Sequence, residues 1–381
     1  MTRAFRTAEA ALLLAGTIIG VGMFAIPYVF VRAGFLAAII ELGVLTVVMI
    51  AAHRAYADIV TANGATHRLP GYARRYLGAT AGGLATVSVI FGIGGTLLAY
   101  VILGGSFLGD LLHAFAPFIP ASAGPWIFFA AGAAILALGV RYENAANTIM
   151  AVVLMLAIAA VVAIMLPSGD IGRLLAFQPA RVDIPYGVIL FSLAGGAIIP
   201  SMRERFRAHE AQSLNRAVVW GTIIPAVLYA AFAAAVVAAV GMDVSTDALG
   251  GLSDRFGSLF ILLGATIGFL ASFTSFIGMG GALEEMFVGD LGIRRRLAWI
   301  MTMIIPAVLY FVGSHDFIRI IGLVGAIGIG FDSLLIFLIH ARLGDRAKEH
   351  RLRLHPSIRV LLIIALAAGA LQEAFKIYNG A

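Results

Sequence analysis

Runs of about 20 apolar residues recur from one end of this chain to the other, and each is long enough to cross a hydrocarbon core of roughly 30 Å. That pattern leaves little room for a water-facing fold. Only 12% of the residues are charged and 61% are hydrophobic, against about 25% charged in a soluble domain. The sequence predicts an all-α polytopic membrane protein with about eleven spans, near 8–33, 35–58, 83–112, 124–140, 146–166, 185–205, 216–241, 258–286, 297–313, 317–341 and 358–377. The longer connections are 59–82, 113–123, 167–184, 242–257 and 342–357, and none reads as a soluble domain. The first run, from about Ala8 to Ala33, is too long for the h-region of a cleaved signal and is expected to remain in the membrane. Cysteine is absent, which excludes disulfides, Cys-ligated zinc and thiol catalysis.

Charge sets the expected orientation. With the N-terminus in the cytoplasm, only Arg32, Arg173, Arg181, Arg255, Arg319 and Lys376 of the 26 basic residues lie outside. The rest, including Arg54, Arg68, Arg141, Arg203, Arg294 and the block from Arg342 to Arg359, fall on cytoplasmic ends, as the positive-inside rule requires. An odd number of spans then puts the C-terminus outside. Trp126, Trp220 and Trp299 fall at predicted span ends, where interfacial tryptophans sit. The net charge of +6 is spread over short loops, so it does not point to nucleic acid; the expected surroundings are the lipid bilayer, and no obligate protein partner is evident.

Two spans are weakened where lipid tolerates weakness least. GTIIGVGMFAIP (16–27) places Gly16, Gly20 and Gly22 near mid-depth with Pro27 after them; YGVILFSLAGGAIIPSM (186–202) places Gly195 and Gly196 there with Pro200 after them. Glycine costs a helix interior about 1 kcal/mol relative to alanine and proline roughly 3. These are spans 1 and 6, the first members of two five-span blocks, and five is odd, so the second block enters from the opposite side. Interruptions at matching places in inverted repeats point to a transporter binding site. An unwound segment at mid-membrane is tolerable only where it lines a cavity. Its free N–H groups suit a carboxylate and its free carbonyls an ammonium or Na⁺, a pairing that fits a zwitterionic amino acid. The other membrane glycines, such as Gly92, Gly94, Gly95, Gly322, Gly325 and Gly328, read as close helix packing.

GTIIGVGMFAIPYVF (16–30), LLAYVILGGSFL (97–108), FSLAGGAIIPSM (191–202) and LPGYARRYLG (69–78) resemble the amino acid/auxin permease family and the bacterial aromatic amino acid permeases. Both belong to the amino acid–polyamine–organocation superfamily, whose fold is the leucine-transporter-type five-plus-five inverted repeat. The resemblance implies one transporter domain over 1–381, with repeat one at about 8–166, repeat two at about 185–341 and an extra C-terminal helix at about 358–377. It implies a substrate carboxylate against Gly20, Val21 and Gly22, and an amino group facing carbonyls near Thr17, Ile18 and Phe191 beside the Ser192 hydroxyl. Tyr100 would close the pocket, or serve as a packing tyrosine. Gly195 and Gly196 would leave volume for a large neutral or aromatic side chain.

Ala271, Thr274 and Ser275 share one helix face. In sodium-coupled members of the superfamily a carbonyl and two hydroxyls at that spacing join two carbonyls from span 1, here those of Gly16 and Ile19, around Na⁺. The alternative is that the two hydroxyls bond their own helix. Proton coupling would instead use an intramembrane acid, for which Glu41 and Asp332 are the candidates. No other cofactor is expected. All eight histidines read as lying at span ends or in loops, and neither H-E-x-x-H, Gly-x-Ser-x-Gly nor a mid-span aspartate pair occurs, which argues against an intramembrane enzyme. No charged ring or repeated filter loop marks a channel. A non-transporting amino acid sensor on the same fold is the remaining alternative to an ion-coupled symporter of the plasma membrane.

Overall fold

A computed structural model of the chain describes residues 2–64, 67–139, 145–177, 181, 183–249, 252–313, 315–343 and 355–378. Arg141, Arg346, Lys348, Arg351 and Arg353, part of the charge pattern above, lie outside them. Among the described residues the structure is helical, with no strand. In chain order the principal helices are α1 (Arg3–Ile18), α2 (Gly22–Ala33), α3 (Phe35–Asn63), α4 (Leu69–Leu77), α5 (Ala79–Phe115), α6 (Ala121–Ala137), α7 (Ala145–Met165), α8 (Pro185–Ser192), α9 (Ile199–Glu204), α10 (Ala211–Val240), α11 (Ser258–Gly289), α12 (Arg295–Val312), α13 (Phe317–Ala341) and α14 (Pro356–Tyr378). Among the described residues nine helical stretches are long and apolar enough to cross a membrane; α1 and α2 together make a tenth, bent by 60°, and α6 is a shorter apolar helix at the expected fourth span.

Both expected interruptions are present. α1 ends at Ile18 and α2 begins at Gly22; α8 ends at Ser192 and α9 begins at Ile199 after a 3₁₀ turn over Gly196–Ile198. Pro200 falls in the first turn of α9, where a missing N–H costs nothing. Pro27 instead lies inside α2. Two further helices loosen to π-turns, α5 at Tyr100–Gly104 and α13 at Val324–Ile329.

Tight approaches explain most of the remaining membrane glycines. A Cβ at Gly95 would stand 2.4 Å from Val324 Cγ2, at Gly94 2.5 Å from Ile305 Cγ2, and at Gly325 1.8 Å from Gly187 O. Gly92 differs: nothing lies within 4 Å of a Cβ there, and it opens onto the cavity described below.

Some boundaries move. α3 runs on to Asn63, so His53 is embedded in a helix and 2% exposed, rather than at a span end. Residues 69–77, expected as loop, form α4. Asp290, at the end of α11, accepts hydrogen bonds from the backbone N–H groups of Arg68 and Gly71 at the start of α4. Trp220 sits well inside α10 because that helix starts at Ala211, and Trp299 donates to Ala133 O at 3.0 Å, a helix-to-helix bond.

Candidate functional site

The two interruptions meet. A Cβ on Gly22 would lie 2.4 Å from Ser192 Oγ and 2.9 Å from Ser192 Cα, so the head of α2 crosses the end of α8 at backbone contact. Between α1 and α2, Ile19 leaves the helix at φ −72°, ψ 94°, after its N–H closes the last turn onto Ala15 O. The N–H groups of Gly20 and Val21 then have no backbone acceptor among the described residues, and Gly22 opens α2, where the first N–H groups of any helix lack intrahelical partners. The free donors therefore gather where a helix N-terminus favours negative charge.

The free carbonyls gather on a residue that the sequence does not single out. Tyr229 of α10 is fully buried, and its hydroxyl lies 2.7 Å from Ile18 O and 3.1 Å from Ser192 O. One phenol thus serves the C-terminal ends of α1 and α8 together.

Beside this junction is a cavity enclosing about 1020 Å³ of empty space, part of it open to solvent. Ile18, Gly20, Gly22, Tyr100, Phe191, Ser192, Gly195 and Gly196 all line it, as do Thr96, Asp332, Ser333 and Arg68. Thr17 and Val21 do not; the Thr17 hydroxyl donates to Leu13 O at 3.0 Å. Tyr100 is 5% exposed and stands 3.2 Å from where a Gly20 Cβ would be.

The two span 6 glycines divide their work. A Cβ at Gly195 would meet Ile18 Cγ1 at 2.6 Å and Leu14 Cδ1 at 2.8 Å, so this glycine admits α1 rather than a substrate side chain. The open volume lies at Gly196, where a Cβ would touch His53 only at ordinary contact distance, 3.5 Å.

Of the five oxygens considered for Na⁺, two converge: Ser275 Oγ lies 3.4 Å from Ile19 O, across the gap between α11 and the end of α1. Gly16 and Ala271 are buried. The Thr274 hydroxyl donates to Leu270 O at 2.9 Å and Ala271 O at 3.2 Å, satisfying its own helix, and donation leaves its lone pairs available. The two acids separate. Asp332 lies in the cavity wall and accepts from Ser88 Oγ at 2.7 Å. Glu41 is half-buried on α3 and does not line the cavity.

A second polar cluster went unread in the sequence. Asp58 of α3 accepts from Asn215 Nδ2 of α10 at 3.2 Å and contacts His340 Nε2 of α13 at 3.2 Å, tying three helices together. At the arginine-rich end, Arg68 pairs with Glu285, and Arg205 with Glu9 at 2.8 Å.

The chain matches the model of the tryptophan/tyrosine permease family over residues 5–372. Among solved structures, the crystal structure of MhsT in complex with L-phenylalanine superposes with a TM-score of 0.71, covering 95% of this chain and 98% of that one at 15% sequence identity. That likeness establishes a shared, leucine-transporter-type fold. No curated protein sequence matches.

Proposed function

Because this chain belongs to the tryptophan/tyrosine permease family, we propose that it is a secondary transporter of aromatic amino acids that works by alternating access. It is a multi-pass membrane protein and a permease rather than an enzyme. The observation that carries the reading is the pairing at the crossed interruptions: the Gly20 and Val21 N–H groups, neither with a backbone acceptor among the described residues, next to the carbonyl ends at Ile18 and Ser192, with Gly20, Ile18 and Ser192 lining one cavity. Those two sets suit the carboxylate and the ammonium of one amino acid, with no buried side-chain charge required. The MhsT crystal held L-phenylalanine, and a cavity that widens at Gly196 suits a side chain of that size. In this reading the protein sits in the cell membrane with its N-terminus cytoplasmic and its C-terminus outside, and one group of helices rocks against the rest about the junction.

An ion gradient supplies the energy. Na⁺ would be held by Ser275 Oγ and Ile19 O, with Gly16, Ala271 and Thr274 completing the set, and would balance charge at the C-terminal end of α1. A second reading, proton coupling through Asp332, is favoured by one observation: that carboxyl alone of the two candidate acids faces the cavity. Uptake of tryptophan, tyrosine, phenylalanine and leucine into proteoliposomes, with Na⁺ and H⁺ gradients imposed separately, tests all of this. Aromatic uptake driven by Na⁺ and lost in Thr274→Ala/Ser275→Ala supports the first reading. Uptake driven by H⁺ alone and lost in Asp332→Asn replaces Na⁺ with a proton. No aromatic uptake under either gradient removes the proposed function.

A further inference from the structure

His53 has no part in the transport scheme above, yet it stands in the cavity wall with Met49, Ala52 and Tyr56 of the same helix. Its two ring nitrogens face different surroundings. Nδ1 lies 3.0 Å from Thr222 Oγ1 on α10. The single proton of that hydroxyl is given to Val218 O at 2.9 Å, so toward the ring the oxygen can only accept. Nδ1 therefore carries the ring proton; this assignment follows from the bonding pattern. Nε2 is buried and has no hydrogen-bond partner among the described residues. No acidic or basic side chain there contacts the ring, and an unpaired buried charge is costly. The imidazole is neutral, and Nε2 presents a bare lone pair.

The position of that lone pair relative to the crossed interruptions gives it a use. A Cβ on Gly196 would lie 3.7 Å from Nε2 and 3.5 Å from Cδ2, so this edge of the ring faces the second interruption across an ordinary contact gap. The neighbouring Gly195 packs directly on Ile18, the last residue of α1. Consecutive glycines of one interruption thus face the His53 ring edge and the end of α1, and His53, Ile18 and Gly196 line the same cavity.

We propose that His53 Nε2 accepts a hydrogen bond from a donor on the substrate ring, an indole N–H or a phenol O–H, and thereby selects tryptophan and tyrosine against phenylalanine. The inference rests on the aromatic amino acid reading above and adds the group that discriminates within it. Phenylalanine fills similar volume but leaves Nε2 buried without a partner, and an unmade bond at a buried polar atom costs more than a made one gains. Sites that offer a hydrogen bond to a ring substituent reject the analogue lacking it more strongly than apolar pockets separate molecules by size.

Thr222 becomes a positioning residue in this scheme: its hydroxyl holds the proton on Nδ1 and so keeps Nε2 an acceptor. The test is competition binding on the purified full chain, with radiolabelled tryptophan displaced by unlabelled tryptophan, tyrosine and phenylalanine, and direct binding of labelled phenylalanine in parallel. Wild type is expected to prefer tryptophan and tyrosine over phenylalanine by about 10-fold or more in Kd. His53→Leu should bring the three affinities within about 3-fold of each other by weakening the two donors, with phenylalanine nearly unchanged. His53→Gln, which keeps an acceptor oxygen, should restore part of the preference. Thr222→Val, outside the cavity, should also lower the preference by releasing the ring proton to either nitrogen. Binding of all three by wild type without preference overturns the proposal, as does an equal loss for all three in His53→Leu, which is what a purely structural role predicts. Loss of the preference in Asp332→Asn but not in His53→Leu moves the acceptor to Asp332 and overturns it too. Those outcomes leave the transport reading standing; absence of any aromatic binding by wild type removes both.

Discussion

The two interruptions are built from similar sequence and solve different problems. The first, at residues 19–21, bends its span by 60° and spends its glycines on contact: Gly22 on the backbone of Ser192, Gly20 on the ring of Tyr100. The second, at residues 193–198, spends Gly195 on the side chains of α1 and leaves Gly196 facing open space. Their prolines differ in the same sense, Pro27 inside a helix that continues and Pro200 in the first turn of a new one. One interruption is a crossing held by main chain; the other is a widening. A glycine–proline pattern marks where a membrane helix breaks, and the neighbour across the gap decides what the break is for.

Substitutions can break that comparison. The largest effect is expected at Gly22→Ala, whose methyl would stand 2.9 Å from Ser192 Cα. Neither backbone can yield, and overpacking of about 3 kcal/mol corresponds to more than about 100-fold in amino acid binding. Near-normal uptake by this variant would show that the crossing is looser than described. Tyr229→Phe comes next. It strips the shared donor from Ile18 O and Ser192 O, at about 1–3 kcal/mol for buried acceptors left short, read as a fall in thermal stability and in affinity together; a change confined to stability would separate Tyr229 from the site.

Gly195→Ala and Gly196→Ala sharpen the contrast directly. The first should cost about 1 kcal/mol as Ile18 and Leu14 shift, the second under about 0.5 kcal/mol, since its methyl meets only ordinary contacts. Equal penalties in detergent unfolding would erase the division of labour between them. The smallest effect lies outside the membrane, at Glu210. The Arg207 backbone N–H and then the Arg6 guanidinium hold its carboxyl below the usual carboxylate range. A depressed carboxylate contributes stability that is whole above its ordinary titration range and fades as pH falls through the lowered value. Glu210→Gln should therefore lower thermal stability slightly at pH 7 and leave a shallower acid limb; an unaltered limb would mean the pairing carries no stability.

Much of the fold was legible because a bilayer enforces it. Apolar runs of sufficient length had to be helices, and GTIIGVG and SLAGGAIIP had to interrupt them, since glycine and proline weaken a helix whatever surrounds it. The residues that finish the site were not legible. Tyr229 sits in an apolar run that reads as lipid-facing or packed helix, and its partners are 211 and 37 residues away. His53 reads as a span-end histidine because the apolar run ends near 58, whereas α3 runs to Asn63; Thr222, which fixes its tautomer, is 169 residues distant. The role of Gly195 was obscured for the same reason: a missing side chain signals space, and only the fold shows that α1 has already taken it.

The hydroxyl of Tyr229 has one hydrogen and two claimants. When it points squarely at Ile18 O it serves Ser192 O poorly, and the reverse, so the two carbonyl ends share a single donor. An arriving ammonium brings three. In the proposed reading the ligand ends a rivalry between the tips of two opposed half-helices, and grip on cargo and cohesion of the moving parts become the same event.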